Sequence, residues 1–234
     1  MPSASLIARL VVALAAATAP VLAGDITGTV RYAGAPPARK PIEITKDQAI
    51  CGRVEHVEES LVVGAGGGVR DVVVHLVDPP GAPPMPVLTP NVTVDQNGCR
   101  FVPRIQIIPA GAPFDLVNSD DLLHNIHTWS KANPSFNRAQ PKFKKVLTQS
   151  FAKPEIMRIS CDVHPWMNGW LVIAGHAYYA KTSPDGTFRI SGVPAGDYTI
   201  EFWQELLGVE TRPVKVPATG STSVDLLYPA RQAP

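Results

Sequence analysis

Between residues 78 and 90 the chain carries six prolines: Pro79, Pro80, Pro83, Pro84, Pro86 and Pro90. Proline has no N–H to give a sheet ladder, so this stretch cannot lie in a sheet interior and reads as a junction between two units. Both sides of the junction read as strands. Residues 25–32 alternate polar and apolar, offering Ile26, Val30 and Tyr32 to one face, as a half-buried strand does. Residues 69–77, with the run Val72-Val73-Val74-His75-Leu76-Val77, are apolar enough for burial on both faces. Short strands are expected at residues 41–45 and 60–63, with a loop holding one helical turn over residues 46–59. Past the junction, residues 91–95, 98–111, 114–118, 146–151, 155–160 and 170–174 read as strands, and residues 131–145 as a loop. The class is all-β.

The 234 residues are 45% hydrophobic with a net charge of +1. That length allows one large or two small packed units, and near neutrality argues against nucleic acid as a partner. Gly64-Ala65-Gly66-Gly67-Gly68 has no Lys-Ser/Thr after it and reads as a turn, not a phosphate cradle. No local Ser/His/Asp signature points to a hydrolase. Residues 1–23 hold Arg9, an apolar run over 10–17 and a small-residue ending at Ala23, which reads as a secretory leader too short to span a bilayer. The expectation is an exported, periplasmic or secreted protein with no membrane span.

Cys161-Asp162-Val163-His164-Pro165-Trp166-Met167 offers a thiolate, an imidazole and a thioether in one loop. Sulfur with imidazole suits copper. A second imidazole stands upstream in Asn118-Ser119-Asp120-Asp121-Leu122-Leu123-His124-Asn125-Ile126-His127. Together the two motifs resemble the cupredoxin family, above all its amicyanin and pseudoazurin-like members. The resemblance covers residues from about 91 to about 174. It implies a Greek-key β-sandwich holding one type 1 copper, with His124, Cys161 and His164 in the plane and Met167 as the long axial ligand. It implies Asn125 as the residue tying the His strand to the Cys loop, and leaves His127 packing or hydrogen-bonding elsewhere. Asp162 departs from the family's Thr or Ser after the Cys. The alternative is a structural thiol at Cys161 in a site that has lost its metal. If Cys161 is a copper thiolate, Cys51 and Cys99 are left to form a disulfide in an oxidising compartment. Pro165 and Trp166 form either an apolar rim for a redox partner or a plug in the sandwich. Of the other histidines, His75 reads as a core residue, His56 as a surface one, and His176 as a remote candidate for an extra ligand.

Residues 180–200, with Asp185-Gly186-Thr187-Phe188 and Pro194-Ala195-Gly196-Asp197-Tyr198, resemble the carboxypeptidase regulatory-like, transthyretin-like module. Its first strands are similar to residues 28–30 and 72–77. The organisation expected is a copper sandwich over residues 88–175 inserted into a second sandwich made of 24–87 and 176–230; a serial arrangement is the alternative. The implied function is an exported electron carrier, not an enzyme, serving an unidentified redox protein. Copper storage or delivery is a second reading, and a carbohydrate- or surface-binding adaptor, with weak sugar binding by the second module, is a third.

Overall fold

The computed structural model describes residues 22–230, so the leader expected over residues 1–23 lies outside it up to position 21. In chain order the elements are β1 (Ala23–Tyr32), α1 (Gln48–Cys51), β2 (Val73–Leu76), β3 (Val92–Gln96), β4 (Phe101–Val102), β5 (Ile105–Pro109), β6 (Phe114–Asn118), β7 (His124–Trp129), β8 (Asn137–Gln140), β9 (Val146–Gln149), β10 (Glu155–Ser160), β11 (Asn168–Ala174), β12 (Tyr179–Lys181), β13 (Thr187–Pro194), β14 (Gly196–Gln204), β15 (Gly208–Val216), β16 (Ser221–Ser223) and β17 (Leu226–Tyr228). The chain is almost all β, arranged in sandwich-type sheets.

Strands from the two ends of the described chain make one pair of sheets. In the first, β1 is flanked by β13 on one side and by β16 and β17 on the other; in the second the order is β12-β2-β14-β15. The alternation in β1 turns Ile26, Val30 and Tyr32 inward against Val74, Leu76, Ile200 and Phe202 of the facing sheet. Removing one such side chain from water contributes roughly 1.5–3 kcal/mol. Gly28 sits where β1 passes from β16 to β17, and a Cβ there would stand 2.0 Å from the Val224 carbonyl oxygen. Only glycine allows that approach.

The other pair is built wholly from β3 to β11, with orders β5-β11-β10-β7-β8 and β4-β3-β6-β9. Its core holds Phe101, Ile108, Phe114, Leu116, Ile126, Met157, Ile159 and Leu171, and the same cluster takes in Cys51, Cys161 and Met167. A third, smaller cluster joins the two pairs through buried Val73, Ile105 and Val172, with Trp170 and Trp203 packed against it. Val73 thus faces the seam while Val72 and Val74 face their own core, which is why the run around β2 is apolar on both faces.

Several local expectations change. Residues 41–45 and 60–63 form only the isolated bridges Pro41↔Val57 and Val63↔Val69; Pro36, Pro37 and Pro41 remove donors a ladder needs. The loop expected over 131–145 contains β8, whose Asn-Arg-Ala-Gln has little strand propensity and is recruited as an edge by β7, His124 opposite Gln140 and His127 opposite Asn137. The Asp185-Gly186 turn carries the chain from β12 to β13, which lie in opposite sheets. His56 is buried, its Nε2 2.9 Å from the Cys51 carbonyl oxygen.

Candidate metal centre

β7 and β10 are antiparallel neighbours with Ser160 opposite His127. The end of β10 therefore delivers Cys161 beside the start of β7, where His124 stands. The loop that follows folds back on itself: the Met167 N–H donates to the His164 carbonyl at 2.9 Å and the Cys161 N–H to the Met167 carbonyl at 3.1 Å. β11 starts at the next residue, so the loop is clamped at both ends by sheet.

Three of the four expected donors converge. His124 Nδ1 and His164 Nδ1 lie 3.0 Å apart, and Cys161 Sγ stands 3.9 and 3.8 Å from them. In a trigonal set with nitrogens ~2.0 Å and sulfur ~2.3 Å from one centre, the donors are about 3.5 and 3.7 Å apart. The observed triangle fits, with the two imidazoles slightly closer. His124 and His164 are 0% exposed and Cys161 2%. Met167, 1% exposed, closes the loop and is buried in the same core cluster as Cys161.

Each imidazole is held from behind by a carboxylate. Asp120 Oδ2 lies 2.8 Å from His124 Nε2, and Asp47 Oδ2 lies 2.9 Å from His164 Nε2. Such partners fix the tautomer and leave Nδ1 to face the donor triangle. Asp120 also accepts the Gly98 and Cys99 N–H groups at 2.8 Å, and its own N–H donates to Asn118 Oδ1 at 3.1 Å. Asp47 occupies the N-cap of α1 but makes no capping bond with its side chain; it turns to His164 instead. Asn125 binds strand to loop: its N–H points to Cys161 Sγ at 3.5 Å, and its Oδ1 accepts the Asp162 and Val163 N–H groups at 2.6 and 3.3 Å.

The protonation states follow this wiring. Burial opposes a thiolate, but the bond with His124 and the N–H groups of Asn125, His164 and Val163 outweigh it, so the Cys161 pKa is lowered. That favours the form that binds metal. Burial also opposes an imidazolium at His124, yet Asp120 and Cys161 raise its pKa. At His164 burial prevails over Asp47, and with the nearby His124 it lowers the pKa. Asp120 is lowered despite its burial by His124 and the two backbone donors.

Cys51 and Cys99 are joined in a disulfide, and ligand atoms of Cys51, Cys99 and His164 lie within 4.8 Å of one another. The bridge therefore pins the Asp47 segment against the loop histidine, although its sulfurs are no longer thiolates. The remaining histidines stand apart. His127 stacks on Trp129 with centroids 4.2 Å apart and meets Asp162 at 3.1 Å. His75 contacts Glu201 at 3.1 Å and stacks on Tyr179; His176 reaches the Leu76 carbonyl oxygen at 3.1 Å. Trp166 is half-buried, donates to the Cys99 carbonyl at 3.2 Å and lies edge-on to His56. No local signal in the sequence marks Asp47. Asp120 could have been found from the Asn118-Ser119-Asp120 turn.

Fold and site define an all-β chain with a buried Cys/His/His cluster at one end of a sandwich. The model for polysaccharide lyase family 4, domain II, matches residues 149–224, from the last residue of β9 to just past β16. No curated protein matches. Among solved structures, the chain is similar to the copper-containing nitrite reductase of Thermus scotoductus SA-01, at 26% identity over 39% of this chain with a TM-score of 0.32; it spans a quarter (25%) of that chain's length. A purple cupredoxin from Nitrosopumilus maritimus matches at 18% identity over 36% of this chain and 100% of its own, TM-score 0.31. A Cu(I) form of an amicyanin mutant matches at 16% identity over 44% of this chain and 99% of its own, TM-score 0.34.

Proposed function

We propose that the protein is an exported carrier of single electrons, holding one copper ion between His124, Cys161 and His164 with Met167 as axial thioether. The observation that carries this reading is the convergence of Cys161 Sγ with two Nδ1 atoms whose outer Nε2 atoms are each tied to a carboxylate. When bound, copper would supply a one-electron couple. The chain's part is to hold the donors still: His124 is fixed by strand and Asp120, His164 by Asp47, and Cys161 by Asn125. Donors that do not move between two oxidation states keep reorganisation small.

The burial of the cluster supports this reading over a catalytic site and over storage or delivery. A catalytic metal site keeps a position open for substrate, whereas both imidazoles here are fully covered. Storage or delivery needs ligands that exchange readily, which covered donors do not. We read the other sandwich as a transthyretin-like module into which the copper sandwich, residues 88–175, is inserted; β1, β2 and β12 to β17 belonging to one pair of sheets supports that arrangement. Export rests on the leader-like residues 1–23.

The test is visible absorption and electron paramagnetic resonance of the mature protein titrated with Cu(II), beside Cys161→Ser. An intense thiolate-to-copper band with small hyperfine splitting, lost in the variant, is expected. A protein that takes up no Cu(II), or takes it up equally in Cys161→Ser, overturns the reading.

A further inference from the structure

The outward edge of His164 is closed by Asp47, whose segment is pinned by the disulfide. The His124 side is different. Asp120, which backs His124 Nε2, accepts the Lys145 ammonium on its backbone carbonyl at 3.2 Å, and the Asn118 N–H donates to the Lys145 carbonyl at 2.8 Å. These bonds draw the 119–123 turn and the 141–146 loop together over the start of β7. The rim they form is strongly apolar at its tip: Phe143 is 83% exposed, Val146 51% and Leu123, the residue before His124, 46%. The same loop carries the exposed Lys142, Lys144 and Lys145, and the 119–123 turn carries the exposed Asp121.

The loop joins β8 to β9, which are edge strands of their two sheets, and lysines on an edge deter strand pairing. Guarding does not account for a phenylalanine left in water at the tip. An exposed apolar patch rimmed by charge marks a contact surface, and electrostatic complementarity steers encounter at such rims.

The geometry points to this rim as the docking surface of an acidic redox protein, with electrons entering or leaving by the His124 side. It rests on the copper reading above for the electron, though not for the docking. Small electron-transfer interfaces of this kind form weak, short-lived complexes, which suits a few apolar side chains within a basic ring.

The first measurement uses metal-free, isotope-labelled protein and hexacyanochromate(III), a redox-inert paramagnetic trianion. Amides of residues 121–123 and 142–146 are expected to broaden, and Lys142→Glu/Lys144→Glu to abolish the effect. Anthraquinone-2-sulfonate, a flat apolar anion, is expected to shift the same amides and to bind Phe143→Ser several-fold more weakly. Phe143→Ser leaves the hexacyanochromate map unchanged. The second measurement uses copper-loaded protein: hexacyanoferrate(II) is oxidised to hexacyanoferrate(III) as it passes one electron to the bound Cu(II), bleaching the band. The rate is expected to fall about tenfold at low salt in the double variant. Broadening centred elsewhere, or a rate indifferent to the lysines while the band is intact, overturns the docking surface and leaves the copper reading standing. A map without any thiolate band overturns the electron route instead.

Discussion

Asp47 and His164 stand 117 residues apart in the chain and meet with 2.9 Å between Oδ2 and Nε2. Asp120 and His124 repeat the arrangement at 2.8 Å within a single turn of chain. One support is local, set by the turn leading into β7. The other arrives from outside the strands β3 to β11, on a segment that is bridged to their turn by Cys51–Cys99. The two supports should therefore fail differently.

Asp47→Ala is expected to weaken copper binding by about 10–100-fold, the usual cost of losing a carboxylate behind a ligand imidazole, while the melting temperature of the apo protein hardly changes. Asp120→Ala should lose affinity to a similar degree and also stability, by about 2–3 kcal/mol, because the Gly98 and Cys99 N–H groups lose their acceptor. Competition with a chelator and denaturant unfolding of the apo forms separate the two. Equal loss of apo stability in both variants would remove the distinction.

The disulfide closes a sequence separation of 48, for which chain entropy gives about 4 kcal/mol. Reduced protein, or Cys51→Ala/Cys99→Ala, should be destabilised by about 2–4 kcal/mol in urea. It should also expose His164 as the Asp47 segment loosens, read as faster amide hydrogen exchange at residues 47–51 and 163–164. Unchanged exchange in the reduced protein would mean that α1 holds its place without the bridge.

What the sequence made visible was what depends on short spacing. Ile26, Val30 and Tyr32 alternate within one strand, so the all-β class could be read from residues 25–32 and their like. Cys161, His164 and Met167 share a loop of seven residues, so their proximity needed no knowledge of the fold. What stayed hidden depends on partners far away in the chain. β8 has no β-branched or aromatic residue and is a strand only because β7 offers it a ladder. Asp47 stands at the N-cap of α1, and its side chain is diverted by tertiary geometry to an imidazole.

Glu155 anchors the turn after β7. Its carboxylate takes bonds from Ser130 Oγ, the N–H groups of Lys131, Ala132 and Asn133, and Asn133 Nδ2. Burial raises its pKa, but these donors outweigh it and bring the value from an ordinary 4.5 to about 2. A depressed carboxylate contributes stability above its unfolded pKa and loses it as pH falls through the folded one. After discounting for solvent screening, Glu155→Gln should cost about 1–2 kcal/mol near neutrality. The gap to wild type should hold steady down to about pH 5 and close between about pH 4.5 and 2. A gap that widens in acid would contradict this role.

The two sandwiches are joined at a seam that holds a half-buried ion pair. Arg104 forms a two-pronged pair with Glu205, its Nη2 2.9 Å from Oε2, and Trp170 Nε1 donates to the same carboxylate at 3.0 Å. Side-chain exposures of 14% for Arg104 and 9% for Glu205 leave little water to replace a lost partner. Trp203, on β14 of the other pair of sheets, packs edge-on to Trp170 with centroids 4.9 Å apart. Glu205→Ala strands the guanidinium and the indole N–H together, an expected cost of about 2–4 kcal/mol. Trp203→Ala removes apolar area without stranding a charge, and should cost about 2–3 kcal/mol, below the range for a fully buried Trp. Both changes lie in the seam and not in either core, so calorimetry should show one transition in the wild type broadening or splitting into two. A single, equally sharp transition at lower temperature would mean that the seam couples to both cores too tightly for the sandwiches to unfold apart.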